Sequence, residues 1–368
     1  MHNMKPALKL QEIRYQTQMR LPGFGATGQF ALHNASIACV GLGGLGSPAC
    51  LYLSAAGVGT LGLIDGDRVD RSNLHRQILF NNNDVGRLKV EAARDRLLAQ
   101  NPDTQIEAFS CDLAPSNATE FLSGFDLILD CTDNFGANYL INDAAAQLKK
   151  PVIYASVSQY EGRLAAFDST QSACLRCLYP APPKNLVLNC AQAGVLGPVV
   201  GTMGTLQANL ALEFLLAQAS GTSFNRLGRL FVFDLKTMAM SSFGVPKNSA
   251  CTICSRPPEE IILRKSDEVS AEELATLLKQ GGVGILDVRE DWEFAEYHLP
   301  GSILWPLRQL ENGEFPELDD SKTWIICCAH GVRSLRALEL FQENSAKKKK
   351  ALKHLRGGLS AFRSRVLD

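Results

Sequence analysis

Short apolar runs and amphipathic stretches alternate along the chain from residue 36 onward, and this alternation predicts its elements. Residues 36–41 (SIACVG) predict a strand, and residues 45–57 a helix with small residues on its packing face. Residues 60–65 (TLGLID) predict a second strand, and residues 86–100 a helix whose outer face is charged. Residues 104–110, 125–131 and 151–157 continue the strand series, with a helix from 135 to about 149 between the last two. Strands that alternate with helices pair in parallel, because each helix is the crossover to the next strand. The expected fold is α/β, with a Rossmann-like doubly wound sheet.

After Cys254 the pattern breaks. The stretch SRPPEEIILRKSDE holds two prolines and seven charged residues and reads as a linker. A second, smaller α/β pattern follows: a helix over 271–280, a strand over 283–288, and a strand over 323–327 (TWIIC) leading into a helix over 333–344. The expected organisation is a first domain over 1–255, a linker over 256–268 and a second domain over 269–368. The lysine run 347–350 has no interleaved aromatic residue and reads as a solvated turn.

Composition narrows the class. The 368 residues are 46% hydrophobic and 20% charged, enough to bury a sizeable core. A net charge of -1 argues against a nucleic-acid partner. Residues 1–18 are polar and mixed in charge, with no apolar run of signal-peptide type. The most apolar stretch, 195–219, is interrupted by Gly197, Pro198, Gly201, Gly204, Asn209 and Glu213, so a buried helix is expected rather than a membrane span. The expected location is cytoplasmic. There thiols stay reduced, and the eleven cysteines point to metal binding and sulfur chemistry rather than disulfides.

Gly41-Leu42-Gly43-Gly44-Leu45-Gly46 falls between the first strand and its helix. Such a loop lets the backbone approach a phosphate at the helix N-terminus, where free N–H groups and the dipole favour anions. Asp65 closes the second strand, placed to bond a ribose hydroxyl. Taken alone, the loop suits NAD as readily as ATP. Ser72-Asn73-Leu74-His75-Arg76-Gln77, Gly86-Arg87-Leu88-Lys89 and Cys131-Thr132-Asp133-Asn134 follow in order.

These blocks resemble the ubiquitin-activating-enzyme-like adenylyltransferases, in particular the molybdopterin-synthase and thiamine sulfur-carrier adenylyltransferases (MoeB/ThiF-like). The resemblance runs from about residue 13 to 254. It implies ATP as substrate, with Arg76 and Lys89 on the phosphates, Asn73 beside them, Asp65 on the ribose and Asp133 on Mg²⁺. The chemistry needs such residues: a carboxylate attacking an α-phosphate brings two anions together, so catalysis is positioning and charge stabilisation. An oxygen ligand such as Asp133 suits a hard cation. The family's opening R-Y-x-R-Q motif reads Arg14-Tyr15-Gln16-Thr17-Gln18 here. Threonine stands where an arginine would reach the partner subunit's ATP, and no role is carried over to Thr17; Arg14 or Arg20 would replace it, or the trans contact is absent. A homodimer is the family expectation.

Cys174-Leu175-Arg176-Cys177 and Cys251-Thr252-Ile253-Cys254 are two C-x-x-C pairs. Four thiolates at that spacing fit a tetrahedral structural zinc site, and neither pair has the strand context of a redox motif. Cys190, in a loop rich in proline and asparagine, matches the place where sulfur-transferring relatives carry a reactive cysteine. Cys39 and Cys131 read as core. Cys50 and Cys111 carry no signal.

In the second domain, Ile285-Leu286-Asp287-Val288-Arg289-Glu290 and Tyr297-His298-Leu299-Pro300-Gly301-Ser302 resemble the opening signature of the rhodanese superfamily. Cys328-Ala329-His330-Gly331-Val332-Arg333-Ser334 resembles its active-site loop, and Leu355-Arg356-Gly357-Gly358-Leu359 its closing one. Loop N–H groups, the helix N-terminus and Arg333 would favour a thiolate and then a persulfide at Cys328. His330 reads as a loop side chain, and Cys327 points to the core by strand alternation.

The expected function is ATP-dependent adenylation of the C-terminal Gly-Gly carboxylate of a ubiquitin-like sulfur-carrier protein, of the molybdopterin-synthase small-subunit type. Sulfur then passes from a Cys328 persulfide to give a thiocarboxylate, with Cys190 assisting release. The chain itself ends Arg365-Val366-Leu367-Asp368, so the carrier is expected to be a separate polypeptide. A cysteine desulfurase or thiosulfate is the expected sulfur donor. Two rivals stand beside this reading: an adenylyltransferase whose sulfur comes from another protein, and an NAD(P)-dependent oxidoreductase.

Overall fold

β1 (Ser36–Val40) lies near the middle of an eight-stranded sheet, and its side chains alternate between two cores. Ile37 and Cys39 pack with Leu61, Leu63, Leu127 and Leu129 beneath the helices Gly46–Ala55 and Gly197–Ser220. Ala38 and Val40 face the other way, with Ile64 and Ile128, against the helix Phe135–Leu148. A strand buried on both faces reads as the continuous apolar run seen in the sequence. Each fully buried Leu or Ile stabilises by roughly 1.5–3 kcal/mol relative to exposure.

The remaining strands are β2 (Thr60–Ile64), β3 (Gln105–Phe109), β4 (Leu127–Asp130), β5 (Val152–Ser158), β6 (Glu161–Phe167), β7 (Arg229–Asp234) and β8 (Ala239–Gly244). Their order is β3-β2-β1-β4-β5-β6-β7-β8. β1 to β5 pair in parallel, with Cys39 opposite Leu63 on one side and Leu129 on the other. β5 to β8 form an antiparallel meander. The sheet is therefore mixed. The α/β pattern announces the parallel part; β5–β6 and β7–β8 are joined by short turns, while β6 reaches β7 only through the long segment that carries the first C-x-x-C pair and the helix Gly197–Ser220.

The structure is a computed structural model that describes residues 8–180, 194–263, 268–344 and 351–363. The described residues divide between two compact units, one ending at residue 263 and one beginning at 268. Within the first, Ile261 is buried against Ala146, Cys174, Cys251 and Ile253, and Leu263 packs beside it. Half of the proline-rich, charged stretch after Cys254 is thus docked on this unit.

Among the described residues, Gly197–Ser220 alone is long and apolar enough to cross a membrane. It is a core helix: Val199, Met203, Ala211 and Phe214 are buried on the sheet. Gln207, wholly buried in its middle, donates from Nε2 to the Asp130 carbonyl at 2.8 Å and the Ile153 carbonyl at 2.9 Å. A buried amide costs free energy unless paired, and these bonds pin the helix to the ends of β4 and β5.

The second unit is a five-stranded parallel sheet of β9 (Glu268–Val269), β10 (Val283–Asp287), β11 (Ile303–Leu304), β12 (Thr323–Cys327) and β13 (Leu352–Leu355). Their order is β11-β10-β12-β13-β9. Leu286, Trp324, Ile326 and Cys328 pack with Ala337, Leu338 and Phe341 of the helix Val332–Glu343. Ile285, Ile325 and Cys327 face Leu274, Leu359 and Phe362 on the opposite side. Consecutive cysteines therefore point into different layers, and Cys327 is core as strand alternation requires. Ser270 and Glu273 form the capping box that starts the helix Ala271–Gln280.

Candidate functional sites at the ends of the parallel strands

β2 and β4 flank β1, so the chain leaves β1 in one direction and returns on the other side. This is a topological switch point, where open α/β sheets form their binding crevice. Gly41 opens the loop there at φ +91°, and a Cβ on it would lie 2.9 Å from the Cys131 carbonyl oxygen. Only glycine holds that conformation at that approach. Gly43 and Gly44 continue the loop to Gly46, where the helix starts.

The Asp65 carboxylate ties the loop to β2. Its Oδ2 accepts from the Leu42 N–H and its Oδ1 from the Asp67 N–H, both at 2.8 Å. Lys89 is the first residue of the helix Lys89–Gln100, because Leu88 before it is extended. Its ammonium is buried, 2.9 Å from Asp67 Oδ2 and 3.7 Å from Asp65 Oδ2. Burial draws the Lys89 pKa down, but Asp65, Asp67 and Asp133 outweigh it and hold the group above its ordinary value. Burial pushes the Asp65 carboxyl up, against the pull of Lys89. Two carboxylates at one ammonium, with Asp133 within electrostatic reach, leave a local excess of negative charge, which suits a hard divalent cation with oxygen ligands.

Asn73 and Arg76 belong to the turn above the loop, where Arg76 Nη2 donates to Asn73 Oδ1 at 2.7 Å. Gln77 on the same turn is buried beside Gly43, and its Oε1 has no hydrogen-bond partner among the described residues. Asp133 is exposed on the loop that follows β4. That loop is braced from below: the buried Asp130 carboxylate accepts from Thr132 N (3.1 Å), Thr132 Oγ1 (2.7 Å) and Asn138 Nδ2 (2.9 Å). Asn134 caps the helix Phe135–Leu148 by accepting from Ala137 N. At the far end of the unit, Tyr15 is buried and accepts from Asn101 Nδ2 at 2.8 Å, while Arg14, Thr17 and Arg20 are exposed.

The four cysteines of the two C-x-x-C pairs meet. Their sulfurs all lie within 4.8 Å of one another, with Cys174–Cys251 at 3.7 Å, Cys177–Cys254 at 3.4 Å and Cys174–Cys177 at 4.0 Å. A tetrahedral zinc with bonds of about 2.3 Å needs sulfurs about 3.8 Å apart, so the donor set fits that ion. Asn248 N donates to Cys177 Sγ at 3.4 Å, a bond that favours a thiolate there. Cys39, Cys50 and Cys131 are buried in the core, and Cys190 lies outside the described residues.

In the second unit Cys328 follows β12, buried, and its Sγ accepts from the Gly331 N–H at 3.1 Å and donates to Ser334 Oγ at 3.6 Å. The closing motif forms the back of this cradle. Leu359 N donates to the Cys328 carbonyl at 2.8 Å and Ser360 N to the Ala329 carbonyl at 3.0 Å. A Cβ on Gly358, at φ +65°, would sit 2.4 Å from the Cys328 carbonyl oxygen. Arg333 makes a two-pronged pair with Glu293, both contacts at 2.6 Å. Asp287 and Arg289 form a second such pair that is almost wholly buried.

Asp67, Gln77, Gln207 and Glu293 had no assigned role in the sequence. Asp67 stands in the block that carries Asp65, and Glu293 is three residues after Glu290, a capping-box spacing that orients its carboxylate. Gln207 was signalled only as a polar residue in an apolar helix.

A sheet with this crevice, followed by a separate cysteine-loop unit, defines an open α/β enzyme architecture with a second α/β domain. A ThiF family model matches residues 15–253 and a rhodanese-like domain model residues 270–365, and the chain belongs to the ThiF family with a rhodanese-like C-terminal domain. It is 35% identical to the probable adenylyltransferase/sulfurtransferase MoeZ of Mycobacterium tuberculosis, over 97% of this chain and 94% of that one. It is 34% identical to the adenylyltransferase and sulfurtransferase MOCS3 of Drosophila sechellia, over 96% of this chain and 83% of that one. The crystal structure of E. coli MccB with ATP matches in fold, with a TM-score of 0.54 at 20% identity over 68% of this chain and 75% of that one. The chain is an enzyme of the adenylyltransferase and sulfurtransferase class.

Proposed function

We propose that this enzyme adenylates the C-terminal Gly-Gly carboxylate of a ubiquitin-like sulfur carrier with ATP and Mg²⁺, and then delivers sulfur from a Cys328 persulfide to give a thiocarboxylate. The observation that carries the first stage is the buried Lys89 ammonium held between Asp65 and Asp67 at the switch point, with Asp133 within electrostatic reach. A nicotinamide site has no use for a buried ammonium paired with two carboxylates. An ATP–Mg²⁺ site needs both signs of charge, one for the phosphates and one for the metal.

In this reading Gly41, Gly43, Gly44 and Gly46 cradle the nucleotide, and Asp65 holds the ribose. Asp133 would hold Mg²⁺, which draws negative charge from the phosphates. Lys89 and Arg76 steady the charge that builds as the carrier carboxylate bonds to the α-phosphorus and the bond to pyrophosphate breaks. Asn73 orients Arg76 through their 2.7 Å hydrogen bond. At the second site the Gly331 N–H and the start of the Val332–Glu343 helix favour anionic sulfur on Cys328. The terminal persulfide sulfur attacks the acyl carbon and AMP leaves; a second thiol such as Cys190 then attacks the Cys328 sulfur, which expels the carrier thiocarboxylate and leaves a disulfide with Cys328 that an external thiol reduces.

Cys174, Cys177, Cys251 and Cys254 hold a structural zinc in this proposal. The organisation is a 1–255 adenylyltransferase domain, a linker and a 269–368 sulfurtransferase domain, acting as a homodimer in the cytoplasm on a carrier of the molybdopterin-synthase small-subunit type. A cysteine desulfurase or thiosulfate supplies the sulfur. One observation favours a second reading, in which another protein supplies the sulfur directly: Cys328 is only 1% exposed. Incubation with the carrier, ATP–Mg²⁺ and a persulfide donor tests both stages. Carrier thiocarboxylate is the expected product; AMP with no thiocarboxylate would sink the second stage, and no carrier-dependent AMP would sink the first.

A further inference from the structure

Arg163 stands on β6, opposite Ser156 of β5 and Val232 of β7, on the sheet face that carries Tyr154. Its Nη1 donates to the Tyr179 hydroxyl at 2.8 Å, and its Nε donates to Glu161 Oε1 at 2.8 Å, with Nη2 2.7 Å from the same oxygen. A guanidinium has five N–H donors in a fixed fork, so two remain beyond these three contacts. The side chain is 40% exposed. The Tyr179 hydroxyl, having accepted from Arg163, keeps its own proton to donate.

This donor cluster is joined to the adenylation site. The Tyr179 ring stands edge-on to Phe135, 6.2 Å between centroids and 88° between planes, and Phe135 follows Asp133 by two residues. The Tyr139 hydroxyl donates to the Tyr179 carbonyl at 3.0 Å, fixing the same junction from the Phe135–Leu148 helix. On the sheet side, Tyr154 lies within the electrostatic reach of both Asp130 and Arg163. Phe135, Tyr139, Tyr154 and Tyr179 thus pack in one cluster that begins two residues after Asp133 and reaches Arg163 through the Tyr179 hydroxyl.

We infer that Arg163 and Tyr179 form the subsite that holds the backbone of the carrier's diglycine tail as it enters the adenylation site, an inference that rests on the function proposed above. A tail without side chains offers only main-chain groups, and its carbonyls need donors. The two guanidinium N–H groups and the Tyr179 O–H are such donors. Glu161 offsets the Arg163 charge, so the cluster favours neutral carbonyls over an acidic side chain. The alternative role is a staple that fastens the cysteine knuckle to β6.

The test is carrier-dependent ATP–pyrophosphate exchange by the full chain, with a molybdopterin-synthase small subunit ending in Gly-Gly as the probe. Arg163→Ala is expected to raise KM for the carrier about ten-fold, the loss of hydrogen bonds to a charged donor, and to leave KM for ATP, zinc content and Tm unchanged. Arg163→Gln, which keeps an amide donor without the charge, is expected to recover most of the loss, and Tyr179→Phe to raise the carrier KM about three-fold. An unchanged carrier KM in Arg163→Ala, or a fall in Tm or zinc content with both KM values moving together, overturns the subsite. A failure of Arg163→Gln to recover would also overturn it, since the partner group would then be a carboxylate. Absence of exchange in the unaltered enzyme strikes instead at the proposed function.

Discussion

Glu293 grips Arg333 with both carboxylate oxygens at 2.6 Å, and so fixes the orientation of the one arginine in the Cys328 loop. Glu293→Gln should free the guanidinium. Sulfur uptake by Cys328 from a persulfide donor should fall about ten-fold through lost positioning, with carrier adenylation unaffected. Arg333 holds the Glu293 carboxyl below its ordinary value. The stability from this pair is thus complete above the usual glutamate range and is lost as pH falls through the lowered folded value. The partial exposure of Arg333 limits it to about 1 kcal/mol.

Cys328→Ala should separate the two chemistries. Carrier-AMP formation continues at the unaltered rate, while thiocarboxylate, followed by mass spectrometry of the carrier, disappears. Persistence of thiocarboxylate would establish the reading in which another protein supplies the sulfur.

Lys89→Met removes a buried cation and strands its carboxylates. Breaking a buried pair costs about 3–5 kcal/mol, and adenylation should fall by at least about a hundred-fold. The stability loss has a pH signature. With Lys89 gone, burial raises the Asp65 pKa further, so the folded state takes up a proton more readily than the unfolded chain. The variant should therefore regain stability on acidification and lose it as pH rises, in denaturant titrations from pH 5 to 8.

Asp130 carries its own pH dependence. Burial pushes its carboxyl up to about 6, against hydrogen bonds from Thr132 and Asn138 that lower it. A raised folded value means stability is fully present below the unfolded pKa of about 4 and is lost as pH rises toward 6. A shift of two units corresponds to about 3 kcal/mol. Asp130→Asn should flatten that part of the stability curve. An unaltered slope between pH 4 and 6 would show that other groups produce it.

Purified enzyme should contain one zinc per chain, measured by elemental analysis. Cys254→Ser should lose the metal and lower Tm, and a strong chelator should do the same to the unaltered protein. Adenylation should fail only as the fold fails, because four thiolates leave no open coordination position.

Much of the fold was legible because the parallel strands obey a strong physical rule. A strand buried on both faces must be apolar throughout, which makes β1, β2, β4 and β5 stand out. The meander β6 to β8 obeyed no such rule: β8 is mostly exposed, and its composition resembles a loop. At the sites, Asp65, Lys89 and the four metal-type cysteines were readable because spacing and order carry the signal. Gln77, Gln207 and Glu293 were not, because their importance lies in what they touch. The helix that brings Lys89 into the crevice also starts three residues later than periodicity suggests, since Leu88 is extended and period alone does not mark a boundary.

The backing of the Cys328 loop by Leu359, Ser360 and Gly358 has a consequence for synthesis. The loop's carbonyls find their partners only after residues near 360 have left the ribosome, more than thirty residues after the cysteine itself. The first unit can fold while this part of the chain is still being made. The nascent enzyme thus acquires its nucleotide crevice first and its sulfur cradle last, and an interrupted chain carries no assembled persulfide site.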